Sequence, residues 1–216
     1  AFVLIALTSS VTAGAVVYRT FFAGPPARTV RAEQPTFVEG WETVLPDGIR
    51  IGAPSAPIEV VVFTDLECPF CERFHGIARD VTKARSDVAI TWLHYPLDRH
   101  RFARPAAHAA ECAHEQGRFA SFLEAVYTQQ DSLGLMSWSD FAAVAEVPDM
   151  SRFEGCLTSG ETPERIELGL SAGGRIGVRA TPTILINGWR VSPPRSAEEF
   201  NRQIEEAVRR SVSSAP

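Results

Sequence analysis

The sequence lacks the basic excess that a phosphate backbone demands. Its 21 lysines and arginines are outnumbered by 26 aspartates and glutamates, a formal net charge of -5. Nucleic acid is therefore not an expected partner. Internal repeats are missing, and 45% apolar against 22% charged residues is near the globular average. Neither a disordered chain nor a multi-spanning membrane protein fits that balance. A second CxxC is also missing, and with it the second ligand pair of a structural zinc site, so no metal is expected. With 216 residues the chain can bury a sizeable core in one domain with an insertion, or in two small ones; one unit is the simpler reading.

Charge is absent altogether from residues 1–18, the first being Arg19. The stretch 1–22, with Phe21 and Phe22 extending it, reads as a secretory signal or a single membrane anchor. Ala13, Gly14 and Ala15 would suit cleavage. A buried core helix fits less well, because the Pro-rich linker 23–36 isolates the run. Either export reading puts the remainder in an oxidising, extracytoplasmic compartment such as a periplasm or cell envelope.

What is present reads as α/β. Residues 37–51 carry short apolar pieces around Pro46-Asp47-Gly48, which predicts a small hairpin. Ile58 to Phe63 is a β-branched run suited to a strand buried on both faces. A helix is predicted from Pro69, at home in the first helical position, to about Ala84, followed by a strand from Val88 to Tyr95. Helical spacing then dominates 101–160, where Phe102, Phe119, Phe122, Trp138 and Phe141 read as core. Thr162-Pro163 predicts another helix start, Thr183 to Asn187 a strand, and Asn187-Gly188 a tight turn. Ser196 with Glu199 forms a capping box ahead of Phe200, Ile204 and Val208. The segments divide as 37–100, a helical insertion 101–160, and 161–212.

Cys68 and Cys71 stand three apart at the start of the helix that follows the buried strand. Both sulfurs then share a face near the positive helix end. Cys68 is expected exposed at the tip as the attacking sulfur, and Cys71 one turn inward and shielded. The dipole contributes about 0.3–1 kcal/mol, no more than about one pKa unit. A larger depression requires the N–H groups of Phe70 and Cys71 to face the sulfur, while Pro69 offers none and stiffens the turn. Half of a zinc site, with Cys112, His114 or His75 pressed into service, and an inert disulfide are the competing readings. Further along, Pro182 opens what otherwise reads as a strand, a sign of special backbone.

Thr64-Asp65-Leu66-Glu67-Cys68-Pro69-Phe70-Cys71, the Glu111-Cys112-Ala113 helix running into Gly117-Arg118-Phe119, and Gly177 through Gly188 together resemble the DsbA-like branch of the thioredoxin superfamily. The resemblance covers roughly residues 52–210. It implies a thioredoxin fold with an inserted α-helical domain, with Cys68, Cys71 and a cis Pro182 as the catalytic residues. Pro69, Phe70, Thr181 and Pro182 would bind substrate, the backbone at Thr181 pairing with an extended client. No cofactor is implied. Clients would be unfolded or reduced exported proteins, with a membrane quinone-linked thiol oxidase regenerating a monomeric enzyme.

Cys112 and Cys156 remain. Four cysteines allow three pairings, and a bond between these two leaves the CxxC intact; two buried free thiols are the alternative. Asp65 and Glu67 either assist the Cys71 proton, tune the redox potential by like-charge repulsion, or are solvated loop charges. His75 reads as a helix-face residue, and His94, His100, His108 and His114 show no ligand pattern. The expected function is the introduction of disulfides by exchange at Cys68. Reduction, isomerisation, or non-catalytic client binding at the Pro182 face are the rivals.

Overall fold

The computed structural model describes residues 34–159 and 163–213. The expected signal or anchor, most of the linker and Thr162 lie outside these residues.

Six strands form one mixed sheet in the order β1-β6-β5-β3-β4-β2: β1 Thr36–Phe37, β2 Ile49–Ile51, β3 Ile58–Thr64, β4 Val88–His94, β5 Thr183–Ile186 and β6 Trp189–Val191. Only β3 and β4 run parallel, as expected for strands joined through a helix, here α1 Pro69–Ala84. Because β3 is central, its alternating side chains enter two cores. Val60 and Val62 face α1 and the closing helix α7, Ala197–Ser213, while Val61 and Phe63 meet Val44, Leu93, Ala172 and Leu185 on the other face. That explains an apolar run without polar alternation.

Between β4 and β5 the described residues form five α-helices, α2 Ala103–His114, α3 Phe119–Thr128, α4 Trp138–Val144, α5 Met150–Thr158 and α6 Glu164–Arg175, with a short 3-10 turn at Gln130–Ser132. The first four pack on one another around Phe122, Phe141 and Phe153, all fully buried. Helix α6 returns to the sheet at very close range. A Cβ on Gly169 would stand 2.2 Å from the His94 carbonyl oxygen, so no larger residue fits without displacing β4. Ser196 caps α7 through the Glu199 N–H, whereas the Glu199 carboxylate reaches the Arg195 N–H instead of closing the box on Ser196.

The hairpin expected over 37–51 is not formed. Trp41–Asp47 is a short 3-10 helix, and the strands on either side go to opposite edges of the sheet, β1 onto β6 and β2 onto β4. The reason is visible in the spacing. Trp41, Val44 and Leu45 recur every three to four residues and cover the second core, which an alternating strand could not do. Gly48 is no hairpin turn either; its bare Cα lies against Thr91 and the Trp92 carbonyl of β4.

Candidate active site

Helix α1 begins at Cys68, whose extended backbone serves as the cap, and Pro69 occupies the first helical position where no N–H is needed. Across from it the Thr181–Pro182 peptide is cis and leads into β5. The two segments meet at the Cys68 thiol, whose Sγ lies 3.3 Å from the Thr181 carbonyl oxygen. Phe70 is on the surface, 58% exposed. The structure thus brings Cys68, Cys71, Pro69, Phe70, Thr181 and Pro182 into one place. Cys112 and Cys156 stand apart, joined as a disulfide between α2 and α5.

Cys68 is not the exposed tip expected from its position. Only 2% of it is accessible, because the 181–182 loop covers the helix end. Cys71 is fully buried, and both are free thiols in this structure. Their acidities are driven apart. Cys68 falls from 9.0 to about 5, chiefly because the Cys71 thiol donates to it. Burial opposes that fall, and the Thr181 side chain and the backbone of Cys71 and Phe70 reinforce it. Burial pushes Cys71 well above the ordinary thiol range, and its neighbour's sulfur adds to the rise. One sulfur is ready to attack or leave, and the other keeps its proton.

The Asp65 and Glu67 carboxylates are not solvated loop charges, and their hydrogen-bond partners are not the sulfurs; they clamp the loop. The fully buried Asp65 carboxylate accepts the Glu67 N–H at 2.8 Å, the Leu97 N–H at 2.8 Å and meets His100 Nδ1 at 2.7 Å. Glu67 accepts from the Phe102 backbone. Gln130, which no sequence pattern singled out, reaches from beyond α3 to donate to the carbonyls of Leu66 and Cys68 at 2.8 and 3.2 Å. The helical insertion therefore holds the redox loop in place. His75 sits on the buried side of α1, bonded to Glu124 at 2.8 Å, and burial holds its pKa down against the pull of Glu124. His94 pairs with Glu111, which also meets Arg165. Burial works against the Glu111 carboxylate, yet the hydrogen bond from His94 and the nearby Arg165 keep its pKa lowered.

Beside the cysteines runs a groove of about 620 Å³ lined by Phe70, Arg73, Ile77, Pro193, Pro194 and Arg195. Arg73 stacks on the Phe70 ring at 4.7 Å, so the groove offers an aromatic floor edged by cations. Among the described residues Cys68 and Cys71 belong to no cluster of three metal donors, which leaves the zinc reading of the pair without ligands.

A CxxC at a helix start opposite a cis-proline, on a mixed sheet interrupted by helices, is the plan of a thioredoxin-fold redox protein. The family model described as Thioredoxin matches residues 44–206, and the chain belongs to that family. Among solved structures, a thioredoxin-like oxidoreductase from Silicibacter pomeroyi DSS-3 superposes with a TM-score of 0.66 at 21% identity, covering 80% of this chain and 98% of that one. Oxidised BdbD from Bacillus subtilis gives 0.66 at 20%, covering 82% and 97%. DsbA from Chlamydia trachomatis gives 0.61 at 21%, covering 76% and 91%. The fold is thus of the DsbA-like type. Two relatives carry a different name. Na(+)/H(+) antiporter NhaA 1 of Mycolicibacterium gilvum is 36% identical over 74% of this chain, and NhaA 3 of Salinispora tropica 30% over 89%. The chain spans only 26% and 30% of their lengths.

Proposed function

We propose that this chain is an extracytoplasmic thiol-disulfide oxidoreductase domain, held at a membrane, that introduces disulfides into exported proteins. The observation that carries this reading is the pairing of a Cys68 thiol lowered to about 5 with a buried, protonated Cys71 against the Thr181–Pro182 loop.

In the oxidised pair a client thiolate attacks Cys68 Sγ; the Cys68–Cys71 bond breaks and Cys71 leaves, taking up a proton. The client is now joined to Cys68. A second client thiolate attacks the client sulfur of that mixed disulfide, and Cys68 departs as a stable thiolate. Two electrons have passed from the client to the pair. A membrane quinone-linked thiol oxidase returns the pair to its disulfide. The Thr181 backbone aligns an extended client segment, and the Phe70 groove receives its neighbouring side chains.

Attachment to a membrane is supported from two sides. Residues 1–18 carry no charge, and the named relatives are ion antiporters of which this chain matches only a part. The Salinispora match takes in 89% of the chain, so it extends past the 44–206 family match. The residues after 206 are too few to account for the difference, so that match includes part of the segment before 44. On this reading the domain acts at the outer face of the membrane body that carries it.

Oxidative refolding of a reduced client, run beside insulin reduction, tests the reading. Wild type should accelerate refolding, and Cys68→Ser should do neither. Client oxidation retained by Cys68→Ser rejects the assignment, and insulin reduction without refolding activity converts it to a reductase.

A further inference from the structure

His108 and Cys112 lie four residues apart on α2, so their side chains share one helix face, one turn apart. Helix α5 brings Cys156 to the same point. The imidazole nitrogen and the two sulfurs all lie within 4.8 Å of one another. A second observation concerns the histidine: the residue is half-buried, and its Nε2, like Nδ1 of His75 and His94, is buried without a hydrogen-bond partner. A buried orphan on an imidazole calls for an explanation, since such atoms are normally paired. Next to it opens a cavity of about 280 Å³, lined by His108 with Arg104, Pro105, Trp138, Leu157 and Ile166.

We propose that His108, Cys112 and Cys156 form a redox-gated site for a thiophilic divalent cation of the zinc class. While the disulfide stands, its sulfurs are engaged with each other and the site is closed. A dithiol reductant attacks the Cys112–Cys156 bond by exchange and leaves as its own disulfide; each sulfur gains a hydrogen, and two ligands become free for the cation. The three donors then make an N,S,S set, the kind that holds Zn²⁺ with a fourth position open to water, here on the side of the cavity. Binding releases the two thiol protons, because only thiolates ligate. Metal–ligand bonds of roughly 2.0–2.3 Å set tetrahedral donors roughly 3.5–3.8 Å apart, so after reduction the two sulfurs must part from bonding distance while the imidazole, within 4.8 Å of them, closes in. The site lies in the helical insertion, independent of exchange at Cys68.

The test uses the Cys68→Ser, Cys71→Ser chain, which has no other thiols, reduced with a water-soluble phosphine. The phosphorus takes its oxygen from water and is oxidised, and the disulfide becomes two thiols. Cobalt(II) is added anaerobically as the probe. The expected result is one ion per chain with sulfur-to-cobalt charge-transfer absorption, none before reduction, and displacement by zinc. His108→Ala should weaken binding by more than the roughly 10–100-fold lost with an outer-shell partner. Far-UV circular dichroism monitors folding throughout. Three results each overturn the proposal: a folded, reduced chain that takes up no cobalt, equal affinity in His108→Ala, or a chain that loses its helices on reduction and does not regain them with cobalt.

Discussion

The acidity of Cys68 rests first on the thiol of Cys71, so removing that donor is the sharpest perturbation. A hydrogen bond to a charged group is worth about 1.5–3 kcal/mol, and one pKa unit corresponds to about 1.4 kcal/mol. Cys71→Ala should therefore raise the Cys68 midpoint from about 5 by roughly one to two units, leaving the Thr181 and backbone donors to hold it below 9.0. The assay is the rate of alkylation by iodoacetamide as a function of pH, because only the thiolate reacts. A thiol with midpoint near 5 is about 99% ionised at pH 7 and about 9% at pH 4, so the wild-type rate is flat above pH 6 and falls about tenfold by pH 4. An ordinary thiol falls about a thousandfold over that range. In Cys71→Ala the plateau should begin one to two pH units higher. A wild-type rate still climbing tenfold per unit above pH 7 refutes the stabilised thiolate. An unshifted midpoint in Cys71→Ala refutes the role of its thiol.

Asp65→Ala strips a fully buried acceptor from the Glu67 and Leu97 N–H groups and from His100, and should cost about 3 kcal/mol in urea unfolding, with an intact-site control by Cys68 alkylation. Cys112→Ala with Cys156→Ala opens a loop of 44 residues, a loss of about 4 kcal/mol in the chain-entropy model. A loss under about 1 kcal/mol would show that α2 and α5 pack without the bond. Phe70→Ala and Arg73→Ala should raise KM for a reduced protein client while leaving kcat for a small dithiol unchanged. A lowered kcat for the small dithiol would place these residues in the chemistry and not in client binding.

Much of the scaffold was legible because its signals are local. The run Ile58–Phe63, Pro69 after it, Asn187-Gly188 and the four-residue spacing of Phe200 and Ile204 each describe their own element, and β3, α1, the β5–β6 turn and α7 appear where they point. The segment 41–47 is misleading because Pro46-Asp47-Gly48 is a turn signal in isolation. The apolar spacing of Trp41, Val44 and Leu45 carried the better information. At the site, the cysteines and Pro182 were readable, but the covering of Cys68 was not, since it depends on a loop 113 residues away. The clamps were illegible for the same reason. Asp65 and Glu67 beside two cysteines suggest acid-base work, and only their partners, 32 and 35 residues downstream, show them to be anchors. Gln130 has no local signature at all.

The contacts that lower the Cys68 thiol bear directly on the direction of exchange, because they exist only in the reduced pair. When Cys68 and Cys71 bond to each other, the thiol donor is consumed and the anion it served is gone. Stabilisation of the thiolate is therefore stabilisation of the reduced state. The unfolded chain holds the Cys68 proton from about pH 5 up to about 9, while the folded chain does not. Stability of the reduced form thus rises with pH across that window, is present in full above it, and is lost as pH falls through about 5. At pH 7 the gain is about 3 kcal/mol, or about 60 mV, relative to a pair with ordinary thiols. The buried Cys71 subtracts nothing there, since a thiol already protonated at pH 7 is unchanged by a higher pKa. A pair so biased accepts electrons from client thiols more readily than it donates them. Reduced and oxidised protein should accordingly differ in stability by an amount that grows between pH 5 and pH 7, whereas a pH-independent gap would remove the electrostatic basis for an oxidising role.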